Sequence, residues 1–521
     1  MRPLLLLLVC ACAFADSYPR QPGIDIQHYI FRITLRDDSN EIAGETTVRV
    51  RVVEAGVSRV ALDLADPMHV DAVVSQGAAV AFDHTGGRLT LPLAAPAGSL
   101  REFTIRYHGT PAGGLKITQN RYGERCFFSS NWPDLAHQWL PTIDHPYDKA
   151  TGEFLVTAPT RYQVVANGAL EEEMDLGDGR RLTHWSQAVP IATWLYNIGV
   201  AQFASRHFGS AAGVPLEIWV YPQDRDAAID TFEGPTRQAI EFYSSHIGPY
   251  PYQKLADVQS AGNDGGMEHA SAIFYGERAV NGTPAFRLVV HEIAHQWFGD
   301  SVTERDWDDV WLSEGFATYF ALLATEHYEG RDAFVVGLKR SRSQVLAAQE
   351  KIPGVAVVQN KPWSGIPNAI VYQKGGWVLH LLRGQIGTEK FWVGIREYYR
   401  RYRDGNASTA DFRRVMEEVS GGDLGWFFEQ WVYRAGTPVV DGRWRHDAAA
   451  KKVILDLTQT QVGEAYRLPL EVAVGAHIEK IEMTRKQQRF EIAAADAPVS
   501  VTLDPNTSML MEAELEKEPR P

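Results

Sequence analysis

The sequence predicts a multi-domain protein with a β-rich N-terminal region, a mainly helical α+β middle and a small β-sandwich at the C-terminus. Three observations lead there. The chain has 521 residues, too many for one ordinary core and enough for two to four domains. Apolar residues recur at every second position up to about Gly209 and again after about Gly436. Between these stretches they recur at helical spacing.

The first fifteen residues, MRPLLLLLVCACAFA, carry Arg2, an apolar run from Leu4 to Val9 and small residues at Ala13 and Ala15. This reads as a secretory leader cleaved after Ala15, too short to span a bilayer as a helix. The alternative is lipoprotein processing at Cys12. Either way the expected location is outside the cytoplasm, secreted or periplasmic, with no integral span.

From 16 to 209 the alternation of Phe31, Ile33 and Leu35, then Val48, Val50 and Val52, then Leu89, Leu91 and Leu93, then Phe103, Ile105 and Tyr107 marks half-buried strands. Turn residues at 37–40 and at Gly86 and Gly87 punctuate them. From 210 to 436, after the strand VPLEIWVYP, the period turns helical. Thr283 and Pro284 look like a cap and first-turn proline that launch a helix through Leu288, His291, Ile293, His295 and Phe298. Phe316, Tyr319, Phe320 and Leu323 form a second stripe, and Phe391, Trp392, Ile395 and Tyr398 a later one. From 437 to 521 alternation returns in VILDLTQT and YRLPLEVAV, and only the charged tail EAELEKEPRP has the composition of an unstructured segment.

The net charge of -14 disfavours a sequence-independent grip on nucleic acid or an anionic membrane. Beyond the leader the only cysteine is Cys126, which excludes an intramolecular disulfide and reads as a small buried hydrophobe.

The stretch HEIAHQWFGD, residues 291 to 300, carries two histidines four apart, which share one face of a helix. Chance places an HExxH in roughly 3% of chains of this composition, so the pattern needs a third ligand to carry weight. WLSEGFATYF, residues 311 to 320, supplies one: Glu314 opens the next amphipathic helix and can point into the gap between the two. His291, His295 and Glu314 then form the two-histidine, one-glutamate set of a catalytic zinc, one ion per chain, although the same set accepts other divalent metals. Glu292 is rotated about 100° from His291 around the helix. It cannot easily join the ligands, but it can flank a water at the metal's open position and take its proton.

These spacings resemble the zinc aminopeptidase family that includes aminopeptidase N and leukotriene hydrolase. The resemblance implies a β-saddle first domain, a thermolysin-like catalytic domain and a β-sandwich third domain, without the helical fourth domain of longer members. It extends to GNDGGMEHA, where Gly265, Gly266, Met267 and Glu268 match the family's Gly-Ala-Met-Glu strand and His269 replaces its Asn. By resemblance Glu268 pairs with the substrate's free α-ammonium, while the glycines let its backbone approach an edge strand. In VYQKGGW, Tyr372 matches the family's oxyanion donor and Lys374 its lysine. A fainter match runs from Cys126 to Pro146: Pro141, Asp144 and Pro146 fit, but Ser130 and Trp132 stand where a substrate-touching Gln and a Glu are expected.

The resemblance thus implies a zinc aminopeptidase acting on peptides with a free N-terminus. Two other readings share the site: a metalloendopeptidase indifferent to free amines, and a non-catalytic binding protein that retains zinc. Epoxide hydrolysis belongs to one branch of the family. The sequence is silent on the preferred first residue and on oligomeric state.

Overall fold

A computed structural model describes residues 16–358 and 368–518. The expected leader, its cleavage after Ala15 and the alternative at Cys12 lie outside the described residues.

The N-terminal region is built on an eight-stranded sheet whose centre is Ile24–Thr34, flanked by Ile42–Val52 antiparallel and Ala150–Pro159 parallel. The alternation is met: Phe31 and Ile33 pair in register with Phe154 and Val156, and all four are buried. A one-residue slip would turn this whole set to solvent, so the pattern fixes the register. Each large side chain taken out of water contributes about 1.5–3 kcal/mol. A four-stranded sheet (Gln163–Ala166, Ile198–Ala201, Arg125–Ser130, Gly114–Gln119) and a three-stranded one complete the region. Cys126 is buried there, and burial pushes its thiol up to about 12, which makes it an inert core residue.

The strand Ala204–Ala211 runs across the expected boundary at 209. Ala204–Ala211 pairs with Val214–Val220 in a five-stranded sheet that continues through Leu255–Ser260 and Ala272–Gly276 to the edge strand Gly266–Met267. Phe208 and Ala211 belong to the same apolar core as the helices, and Arg237 holds the carbonyls of Phe208 and Ser210. Its helices include α1 (Arg225–His246), α2 (Phe286–His295), α3 (Trp311–Glu329), α4 (Arg331–Lys351), α5 (Gly375–Ile386), α6 (Thr388–Tyr402) and α7 (Thr409–Ser420).

Helix α2 starts at Phe286, two residues past the expected cap and proline. Tertiary bonds set its start instead: Thr231 on α1 accepts from Ala285 N through its carbonyl and from Gly282 N through its hydroxyl. The helix closes at His295, so Phe298 lies beyond it, in a turn bridged to Val302 and still fully buried.

After Glu429–Tyr433 the chain forms two further sheets, one of four strands and one of three. The charged tail departs from expectation here. Glu512–Lys517 runs parallel to Val439–Trp444 as a strand, held by its backbone ladder with mostly exposed side chains. Among the described residues no helix is long and apolar enough to cross a membrane.

Candidate active site

Helix α2 buries Val289, Val290, Ile293 and Ala294 in the core, which turns His291 and His295 toward α3. Their Nε2 atoms lie 3.2 Å apart. Glu314, in the first turn of α3, places Oε2 at 3.7 Å from His291 Nε2 and 3.4 Å from His295 Nε2. The three predicted ligands therefore converge, with their ligand atoms all within 4.8 Å of one another.

The donor chemistry fits a metal ion. His295 Nδ1 sits 3.3 Å from the Phe298 carbonyl, which can only accept, and 3.0 Å from Ser313 Oγ. Nδ1 therefore carries the proton, and Nε2 presents its lone pair to the meeting point. Glu314 Oε2 is buried and makes no hydrogen bond, whereas Oε1 accepts from Tyr372 Oη at 2.5 Å. Lone pairs converging in a dry pocket repel one another unless a cation lies between them.

The surrounding charge points the same way. Glu268 and Glu292 form a second buried group with His295, again within 4.8 Å. Burial, and then each other's charge together with Glu314's, pushes Glu292 well above the ordinary carboxyl range, and burial likewise raises Glu268. Burial would raise Glu314 as well, but His295 and His291 override it and hold it down at about 2. Burial would lower His295, and Glu268 and Glu314 outweigh it, so its imidazole is raised.

Glu292 lies beneath the edge strand Gly266–Met267, which pairs with Phe274 and Tyr275 on one side only. A β-carbon on Gly266 would stand 2.1 Å from the Glu292 carboxyl carbon, so any larger residue here must push that carboxylate aside. Gly265 fixes the start of the strand through its carbonyl, which accepts from Gly276 N at 2.7 Å. Met267 is buried in the core of the N-terminal region. Glu268 follows directly, with Oε1 4.0 Å from His295 Nδ1. The predicted strand, carboxylate and zinc helix are thus brought together.

His269, the departure from the family pattern, does not position Glu268. Its ring is buried edge-on against Phe274, 4.7 Å between centroids, and neither ring nitrogen finds a partner among the described residues. Burial pushes it down to about 3, so it packs as a neutral ring. Gln296 takes the positioning role: Nε2 donates to the Glu268 carbonyl at 3.0 Å, and Oε1 accepts from Ser271 N and Tyr250 Oη.

Tyr372 stands on a π-helical turn, Ile370–Lys374, that runs into α5. Such turns redirect a side chain by widening one coil of the helix. Its ring lies parallel to His291, with centroids 6.1 Å apart. It reaches Glu314 because α3 and α5 cross backbone on backbone: a β-carbon on Gly315 would be 2.8 Å from Gly375 Cα. Lys374 plays a structural part, buried and donating to the Gly436 carbonyl at 2.9 Å.

Sequence reasoning missed Ser313, Gln296 and Gly315. Ser313 was visible as the neighbour of Glu314, but nothing local signals that its hydroxyl faces His295. Of the fainter matches, Asp144 is a buried structural acceptor for Thr193 Oγ1 and the His137 backbone. Ser130 lies in register with Gly114, and Trp132 packs edge-on against Trp194 and Trp307.

The chain is similar to known peptidases. The Peptidase family M1 domain matches residues 233–431, and the Peptidase M1 N-terminal domain matches residues 26–195. Glutamyl aminopeptidase from Bos taurus is 28% identical over 375 residues, 68% of this chain and 39% of that protein. Tricorn protease-interacting factor F2 from Thermoplasma volcanium is 30% identical over 347 residues, 63% of this chain and 43% of that protein. The chain therefore spans about two fifths of the length of these curated relatives. The crystal structure of an M1 zinc metallopeptidase from Deinococcus radiodurans superposes with a TM-score of 0.70 at 26% identity, covering 81% of this chain and 97% of that one. With both domains matched in order and the zinc-type ligand set assembled between α2 and α3, the chain belongs to peptidase family M1.

Proposed function

We propose that the protein is a single-zinc aminopeptidase that hydrolyses the N-terminal peptide bond of peptides. The observation that carries this reading is the buried Glu268 carboxylate beside the His291, His295 and Glu314 set, at the end of an edge strand. A carboxylate at a fixed distance from the metal ligands favours a substrate whose ammonium ends there, which makes the enzyme an exopeptidase.

His291, His295 and Glu314 would hold the zinc, which when bound supplies Lewis acidity at the scissile carbonyl and to a water beside it. Glu292 takes a proton from that water as its oxygen bonds to the carbonyl carbon. It returns the proton to the leaving nitrogen as the C–N bond breaks, so the carboxylate is regenerated. Burial and the neighbouring carboxylates raise Glu292's proton affinity, which suits a group that must hold a proton between the two steps. Tyr372 keeps its hydroxyl proton, because burial and then Glu314 push its pKa up, and donates to the oxyanion. The edge strand offers backbone groups to the extended substrate.

The deciding experiment compares an aminoacyl arylamide with its N-acetylated form, alongside metal content. Release from the free amine only, with one zinc per chain, supports the reading. Equal release from both indicates an endopeptidase, and zinc without turnover indicates a binding protein.

The N-terminal sheets are read as the family's saddle, the middle region as its thermolysin-like domain and the last two sheets as its sandwich. Export with cleavage after Ala15 is part of the same proposal. It is supported by the apolar leader and by the Asp16 backbone N–H, which faces Asp308 in a recess also lined by Asp306 and Asp309. Cleavage there would set a new ammonium among carboxylates, and mass measurement of the exported chain's first residue tests it.

A further inference from the structure

A cleft of about 510 Å³ opens beside the metal ligands, between α2, α3 and α4. His291 and Tyr372 form its inner wall, so it is continuous with the place where the scissile carbonyl must lie. Glu268, Glu292 and the strand Gly266–Met267 are not among its walls. It is therefore a separate space from the one that Glu268 borders, joined to the metal-ligand set at His291.

The lining is of two kinds. Leu288, Ala321 and Leu322 give an apolar floor, kept tight by Gly337, where a β-carbon would stand 2.5 Å from Leu322 Cδ2. At the rim stand Arg287, one turn before His291 on α2, and Arg340 on α4. Both are exposed, and among the described residues neither makes an ion pair or a side-chain hydrogen bond. In a chain of net charge -14 these two guanidiniums give the cleft a local positive rim, and Glu268, Glu292 and Glu314 are not among its walls.

Resting on the aminopeptidase reading, we infer that this cleft receives the residue that follows the scissile bond and that Arg287 and Arg340 select a carboxylate on it. The carboxylate is either an acidic side chain or, in a dipeptide, the C-terminus. Guanidinium recognises carboxylate through paired N–H donors, and the apolar floor accommodates the methylene stem of such a residue. With an ammonium sink at Glu268 and a carboxylate rim at Arg287 and Arg340, the field between them orients a zwitterionic peptide before chemistry.

The test measures kcat/KM for alanyl-glutamate amide against alanyl-glutamine amide, and for free Ala-Ala against Ala-Ala amide, with alanine p-nitroanilide as the control. At low salt the wild type is expected to prefer the acidic member of at least one pair by about 10-fold. The preferred pair tells side chain from C-terminus. In Arg287→Ala/Arg340→Ala that ratio falls toward 1, and in Arg340→Glu it drops further or inverts. Alanine p-nitroanilide turnover with ratios near 1 in the wild type, or a ratio unmoved in the double variant, overturns the inference and leaves the aminopeptidase reading standing. No turnover even of the anilide, with one zinc per chain, overturns both. Because each ratio is taken within one enzyme preparation, partial misfolding of a variant cancels.

Discussion

Gly266 packs directly against Glu292: a β-carbon on the glycine would lie 2.1 Å from the Glu292 carboxyl. The glycine in the edge strand thus sets how high the Glu292 carboxylate can stand, the group proposed as the base. Gly266→Ala is expected to displace the carboxylate and lower kcat by about 100-fold, since small misplacements of a reacting group cost that much. Zinc content and circular dichroism should stay as in the wild type. Full activity in this variant would refute the crossing.

Glu292 itself contributes no ligand atom to the three-residue set. Glu292→Ala should therefore keep one zinc per chain while turnover falls at least about 100-fold. Glu292→Gln, which keeps the shape and loses the base, should fall as far. Near-normal turnover in either variant would move the base to another residue.

Ser313 is one of two acceptors within reach of His295 Nδ1, at 3.0 Å, and the Phe298 carbonyl is the other at 3.3 Å. Removing one partner of a ligating histidine weakens metal binding by about 10-fold or more. Because the carbonyl remains, Ser313→Ala should sit at the low end of that range. Competition with a chromophoric chelator reads the affinity. An unchanged zinc affinity would leave the carbonyl alone as the orienting group.

The candidate metal ligands were legible because helix geometry does the work: four residues bring His291 and His295 to one face, and the apolar stripe of α3 turns Glu314 inward. The start of α2 was not legible. Thr283 and Pro284 have the local chemistry of a cap, but Thr231, on a helix some fifty residues earlier, decides where the coil begins. The crossing of Gly315 with Gly375 was equally hidden, since two glycines meeting backbone to backbone leave no periodic trace. The alternating region was read only as far as about Gly209, which falls inside the strand Ala204–Ala211, and nothing local says which sheet takes that strand. Charge marked the tail at 512–517 as unstructured, although a backbone ladder beside Val439–Trp444 needs no apolar face.

Tyr372 offers its hydroxyl proton from a site where burial and Glu314 keep it protonated at any working pH. Tyr372→Phe is expected to lower kcat by about 100-fold with KM changed little, the signature of a contact made chiefly in the transition state. A fall in kcat/KM carried by KM alone would make Tyr372 a substrate-binding residue.

Lys374 gives a stability readout independent of catalysis. Burial, and then Arg434, push its ammonium down from 10.5 to about 7, while its Nζ donates to the Gly436 carbonyl at 2.9 Å. Between pH 7 and 10.5 the unfolded chain thus binds more protons at this group than the folded one, so unfolding free energy rises with pH across that window. The slope from one such group reaches at most about 1.4 kcal/mol per pH unit. Lys149, also buried and pushed down to about 7, adds a slope of the same sign. Lys374→Met removes only its own share. Urea unfolding at pH 7, 8.5 and 9.5 should show a shallower rise in the variant, so that its stability relative to the wild type falls as pH increases, with the orphaned carbonyl adding a pH-independent cost. An identical slope in variant and wild type would mean that Lys374 titrates as freely in the fold as in water.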